Sequence, residues 1–216
     1  MSIEIIKVDA RRVLPYYIPF LLFTVGYVLF RKTPLGAGDS ILNLIPCIQG
    51  MFTAWWIFQD PGETEAFVFS RPLSRKRLFL TRWGFGIFLQ ILTVFAVFVT
   101  ITSGLRSEIQ ELMDSPYYPI VKWYELSVLG TMALFSILGF EVVMFLKLRW
   151  RIVKNSPSIW KEILGTGFFS AVCLLPLGEL MENHIQDYLI VTYALLLILS
   201  ATLASLHCYR HLEIQA

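Results

Sequence analysis

The sequence predicts an all-α integral membrane protein with six transmembrane helices, and three observations carry that prediction. The 216 residues are 56% hydrophobic and only 16% charged, with a mean hydropathy of +0.64, whereas soluble domains carry about 25% charge. Several apolar runs reach the roughly 17 to 25 residues that a spanning helix needs. Between those runs, the lysines and arginines fall into alternating dense and sparse segments. The formal net charge of +2 points to no particular partner, and nothing suggests nucleic acid. No internal repeat, low-complexity run or linker divides the chain, so residues 1–216 read as one transmembrane domain.

Residues 2–12 mix Ile3, Ile5, Ile6 and Val8 with Glu4, Lys7, Asp9, Arg11 and Arg12. The segment is too short and too charged to span, and it predicts an N-terminal helix lying in the membrane interface. A basic flank before an apolar run also opens a signal peptide, but this run is too long for one and ends at Arg31-Lys32 without a small-residue cleavage site. The first span is 13–30, with Pro15 and Pro19 near its start, and 31–40 is a tight connection containing Pro34, Gly36 and Gly38. The second, 41–59, carries Pro46 as an expected kink and Trp55 and Trp56 as interface markers. The third is 78–101, with Arg82 near enough to its entry to snorkel back. Residues 104–122 read as a polar loop ending in aromatic residues at the opposite interface, and the fourth span is 125–148. The fifth, 162–180, is broken near its end by Pro176 and Gly178, and the sixth is 188–207.

Orientation follows from the basic residues. With the N-terminus inside, the inner segments hold Lys7, Arg11, Arg12, Arg71, Arg75, Lys76, Arg77, Arg82, Lys147, Arg149, Arg151, Lys154, Lys161 and Arg210. The outer segments hold Arg31, Lys32, Arg106 and Lys122. This bias places both termini in the cytoplasm of a multi-pass protein of the cell membrane.

The stretch 60–82, DPGETEAFVFSRPLSRKRLFLTR, interrupts the apolar pattern on the same side. Asp60 and Glu63 have the form of a capping box with Pro61 at the first helical position. A helix started there ends by Ser70, because Pro72 disfavours helical geometry at Arg71, and Ser74 can cap the helix that follows. The product is a short cytoplasmic helix with an apolar ridge, Phe67 to Phe69, flanked by Glu63, Glu65, Arg71 and Arg75. A basic loop obeying the charge bias would explain 71–82 but not that ridge.

Catalytic motifs are missing. The chain has no G-x-x-x-x-G-K-[ST], no H-E-x-x-H and no G-x-S-x-G, so it is expected to be neither an ATPase nor a hydrolase, with no catalytic residues and no cofactor of its own. Cys47, Cys173 and Cys208 read as small buried hydrophobes. His184, His207 and His211 lack the spacing and third ligand of a metal site, so no metal is expected. Glu141 is the one carboxylate placed well inside an apolar span. Such a group marks a transport pathway or ties two helices together.

Thr64, the run 67–70, then Arg71-Pro72-Leu73-Ser74-Arg75, and Arg82 seven residues on, resemble the cytoplasmic segment between spans two and three of ABC-2-type exporter permeases. The motif match covers about twenty residues, and the six-span plan extends the likeness to the whole chain less specifically. Two features depart from the pattern: Gly62 sits one residue early, with Glu63 intervening, and the outer segment between spans five and six is short. The resemblance implies a permease subunit that pairs with a second copy or a related permease, as a homo- or heterodimer in the lipid bilayer. It also implies separate cytoplasmic P-loop ATPase subunits that bind ATP and Mg. Docking on them would fall to a coupling helix formed by Glu63, Glu65, Phe67, Phe69, Arg71, Pro72 and Arg75. Two other readings stay open: a membrane scaffold that recruits a soluble partner through the same helix, and a proton-coupled carrier using Glu141.

Overall fold

The computed structural model describes residues 2–30, 40–58, 75–103, 118–152 and 187–210. They form five helices: α1 (Ser2–Phe30), α2 (Ser40–Ile57), α3 (Arg75–Thr102), α4 (Tyr118–Ile152) and α5 (Asp187–Arg210). Three stretches, Ile5–Phe30, Lys76–Thr102 and Val128–Arg149, are long and apolar enough to cross a membrane, and Leu44–Ile57 and Thr192–Cys208 are shorter apolar helices. The described residues are thus all helical, and three helices of this length and apolarity mark a membrane protein. The expected fifth span, 162–180, lies outside the described residues, as does the short helix expected between Asp60 and Ser70.

Three expectations are corrected. Residues 2–12 are not a separate interfacial helix, because α1 runs unbroken from Ser2 to Phe30 through Pro15 and Pro19. Its buried residues, Ile5, Asp9, Val13, Tyr17, Thr24 and Val28, recur at steps of four and seven, so the charged start continues the same inward face as the span. That face holds the helix together across two prolines that each remove a backbone bond. The polar loop stops earlier than expected, since α4 starts at Tyr118 with Pro119 in its first turn, where a missing N–H is harmless. At its other end, α4 continues through the basic run to Ile152. At 1.5 Å per residue its 35 residues reach about 52 Å, more than the roughly 30 Å hydrocarbon core, so it extends beyond the apolar layer. Finally, Arg82 does not snorkel: its side chain is buried.

Contacts fix the directions of the helices. Tyr16 stacks on Trp56 and Phe20 meets Phe52, so α1 and α2 are antiparallel. Asp9 meets Arg82 and Tyr17 meets Leu89, so α1 and α3 run the same way. Cys47 lies against Gly139 and Trp55 against Lys147, which makes α2 and α4 parallel. Ala194, Leu197 and Ile198 pack with Leu138 and Val142, whereas Cys208 sits within the field of Arg149, so α5 also runs parallel to α4. The starts of α1 and α3 and the ends of α2, α4 and α5 therefore share one end of the bundle. Lys7, Arg11, Arg12, Lys76, Arg77, Lys147 and Arg149 are all carried near that end.

The central helix is α4: 61% of its membrane-length stretch is buried, against 22% for α1 and 39% for α3. The core is unequal along its length. Toward the basic end it contains Phe58, Leu78, Phe79, Phe140 and Met144. At the far end it thins to Val28, Val97, Ile101, Val128 and Met132.

Candidate functional site

The residues expected to form the coupling helix, Glu63, Glu65, Phe67, Phe69, Arg71 and Pro72, lie outside the described residues, and Arg75 is the first residue of α3. What is described is the root from which that stretch departs. On the α2 side, Ile57 and Phe58 are fully buried, and on the α3 side Leu78 and Phe79 are nearly so. The Phe58 ring lies 6.2 Å from Phe79 and 6.3 Å from Phe140 of α4, the second contact edge-on. Phe140 in turn fills the space over Gly86 of α3, where a methyl group would overlap its ring. Aromatic pairs at these spacings are attractive and resist compression. The two strands of chain that bracket 59–74 thus rest on one wedge, Phe140, held by the central helix.

Directly above this root, three polar contacts tie the helices. Arg82 Nε lies 3.4 Å from Asp9 Oδ2, with both side chains at most 2% exposed. The next residue, Trp83, donates from Nε1 to Glu141 Oε1 at 2.6 Å. Lys147 Nζ sits 3.4 Å from the centre of the Trp55 ring, a cation–π contact between α4 and α2. Glu141 is fully buried, and Thr202 of α5 faces the same carboxyl. Consecutive residues at the start of α3 are therefore held by acidic groups from α1 and α4.

A second polar layer crosses the middle of the bundle. Tyr17 donates its hydroxyl to the Leu89 carbonyl at 2.7 Å and lies 2.9 Å from the Thr93 hydroxyl. Gln49 Nε2 donates to Thr93 Oγ1 at 2.8 Å, and Ser136 donates to Gln90 Oε1 at 2.6 Å. This layer joins α1, α2 and α4 to α3 through side-chain groups and the Leu89 carbonyl, with Gln90 and Thr93 in the helix-packing role expected of them. Thr100 instead bonds its own helix at the Ala96 carbonyl.

The contact between α2 and α4 is of another kind. A methyl group at Gly50 would overlap the Ser136 carbonyl oxygen, and one at Gly139 would overlap the Cys47 carbonyl oxygen. Each glycine admits the other helix's backbone, the close approach that small residues permit in membranes. Sequence reading passed over both glycines, although their matched places in two apolar runs were the available signal. It also missed the Asp9–Arg82 pair. Each of those charges lies on its helix's apolar stripe, Asp9 between Ile5 and Val13, and Arg82 between Phe79 and Gly86, and a charge on such a stripe calls for a partner.

Cys47 and Cys208 are free and buried, in keeping with their reading as small hydrophobes. No cluster of three metal-ligating side chains occurs among the described residues. Comparison of the chain with protein-family models, curated proteins and solved structures finds no match.

Proposed function

We propose that this chain is the membrane-spanning permease subunit of an ATP-driven exporter of the ABC-2 type, and that a separate cytoplasmic ATPase docks on the stretch 60–74. The observation that carries the reading is the root of that stretch. Displacement of 60–74 would load Phe58, which packs on both Phe79 of α3 and Phe140 of the central helix, and Phe140 in turn lies against Gly86 of α3. A segment with an apolar ridge suits a helix-in-groove contact, and rigid-body movement of helices is how such a load would be used. The motif resemblance in 64–82 and the missing P-loop agree with a motor on another chain.

The reading includes six crossings, cytoplasmic termini and pairing with a second permease. In keeping with that plan, α4 and α5 run the same way, as its fourth and sixth spans do. Charge gathered at one end of the bundle supports a cytoplasmic placement of that end. Glu141 serves here as a tie between α4 and α3, given its bond to Trp83.

The test is co-purification from native membranes with a P-loop ATPase, whose expected result is a stable complex that is lost when Phe67 and Phe69 are both changed to Asp. An ATPase that stays bound to that variant removes the docking role, and a chain that brings down none removes the exporter reading.

A further inference from the structure

We propose that the Asp9–Arg82 pair makes α1 part of the moving body, so that its first three turns travel with the start of α3 and Asp9 acts as a positioning residue for the stretch that enters α3. The proposal rests on the exporter reading for the source of the movement, but not for the attachment itself. Two fixings hold α1 parallel to α3. One is the buried ion pair at 3.4 Å, and the other is the Tyr17 hydroxyl on the Leu89 carbonyl at 2.7 Å. They are eight residues apart on α1, about 12 Å along the axis. A single point would let the helices swivel, whereas two in register stop both swivel and slip.

The contacts of α1 with α2 differ in kind, for apart from the Tyr17 hydroxyl facing the Gln49 side chain they are aromatic faces. Tyr16 stacks flat on Trp56, with ring centres 4.2 Å apart and planes 8° from parallel, and Phe20 meets Phe52 at 5.4 Å. Such faces have no directional bond and tolerate sliding. An apolar pair at positions 9 and 82 would hold the helices with similar strength, since a buried ion pair gains little over well-packed hydrophobic residues. What the charges add is register. When α3 is displaced at its start, α1 is carried with it and shears along α2.

The test uses the full chain in lipid nanodiscs, with Cys47, Cys173 and Cys208 changed to Ala and spin labels placed on cysteines replacing the exposed Lys7 and Lys76. A second label pair at Lys76 and Arg149 reports α3 against α4. Asp9→Asn alone leaves the Arg82 charge buried, so the decisive variant is D9N combined with R82M, which removes both charges and keeps the volume. Its expected distance distribution between positions 7 and 76 doubles in width, while that between 76 and 149 keeps its wild-type form; Asp9→Glu restores the narrow 7–76 distribution. A 7–76 distribution in D9N/R82M that matches wild type overturns the proposal, and so does equal broadening of both pairs, which marks general loosening. Failure of the unmodified chain to bind an ATPase bears on the exporter reading and leaves the distance result standing.

Discussion

The α2–α4 seam and the surroundings of α3 hold helices together by opposite means. At the seam, Gly50 and Gly139 bring main chain against main chain, leaving no side chain that can change rotamer and re-form the contact. Around α3, the ties are side-chain bonds: Asp9 to Arg82, Trp83 to Glu141, Thr93 to Gln49 and Gln90 to Ser136. The three hydrogen bonds to α2 and α4 can each be exchanged for another partner at modest cost, since hydrogen bonds between membrane helices average only about 0.6 kcal/mol. The difference divides the bundle into a fixed pair, α2 and α4, and a helix that can shift. The stretch 60–74 joins the two, leaving the fixed pair at Phe58 and entering the other at Arg75.

The largest expected effect comes from breaking the seam. Gly139→Leu or Gly50→Leu drives a side chain into backbone that cannot turn aside, and should cost about 3 kcal/mol or more, the upper end for overpacking. The readout is loss of monodisperse protein and a large fall in the thermal midpoint in detergent. Gly130→Ala, at a site with nothing within 4 Å, is the matched control and should be neutral or slightly stabilising. Gly86→Ala should fall between them, because the Phe140 ring it meets can tilt.

Breaking the α3 ties should cost less. Trp83→Phe removes the indole donor from the buried Glu141 carboxyl and is expected to lose about 1 to 3 kcal/mol. Glu141→Gln keeps an acceptor for Trp83 and should lose less, with transport retained. Loss of transport in Glu141→Gln with the fold intact would instead revive the proton-coupled carrier. Smallest of all, Thr93→Val removes one hydroxyl from the middle layer and should cost about 0.6 to 1.7 kcal/mol by thermal or chemical denaturation. Equal costs for the glycine and threonine variants would erase the distinction between the two regions.

Much of the helical plan was legible because apolar length is a strong signal. The second, third and sixth expected spans each lie within three residues of a helix boundary at both ends, and the first ends with α1 at Phe30. Charge hid the rest. Asp9, Arg11 and Arg12 made 2–12 look too polar to join a span, yet Asp9 is on the inward face and finds Arg82, while Arg11 points outward. The same blindness made Arg82 look like a snorkelling residue. Composition reports how much charge a segment holds, and only the pairing across seventy-odd residues reveals where it goes. Glu141 was picked out correctly as a buried carboxylate, but its partner was beyond reach, because Trp83 carries no signal of donating inward. The glycine seam needed the knowledge that α2 and α4, distant in sequence, run side by side.

In the proposed exporter, ATP-driven load on 60–74 would move α3 against a fixed α2–α4 pair. That movement is tested most directly by spin-label distances in the complex with the ATPase, with and without ATP trapped by vanadate. One label pair replaces the exposed Thr102 of α3 and Gly130 of α4, and the other replaces Leu44 of α2 and Gly130. The account predicts that the 102–130 distance changes on trapping while the 44–130 distance stays the same. A change in 44–130, or none in either, would contradict it.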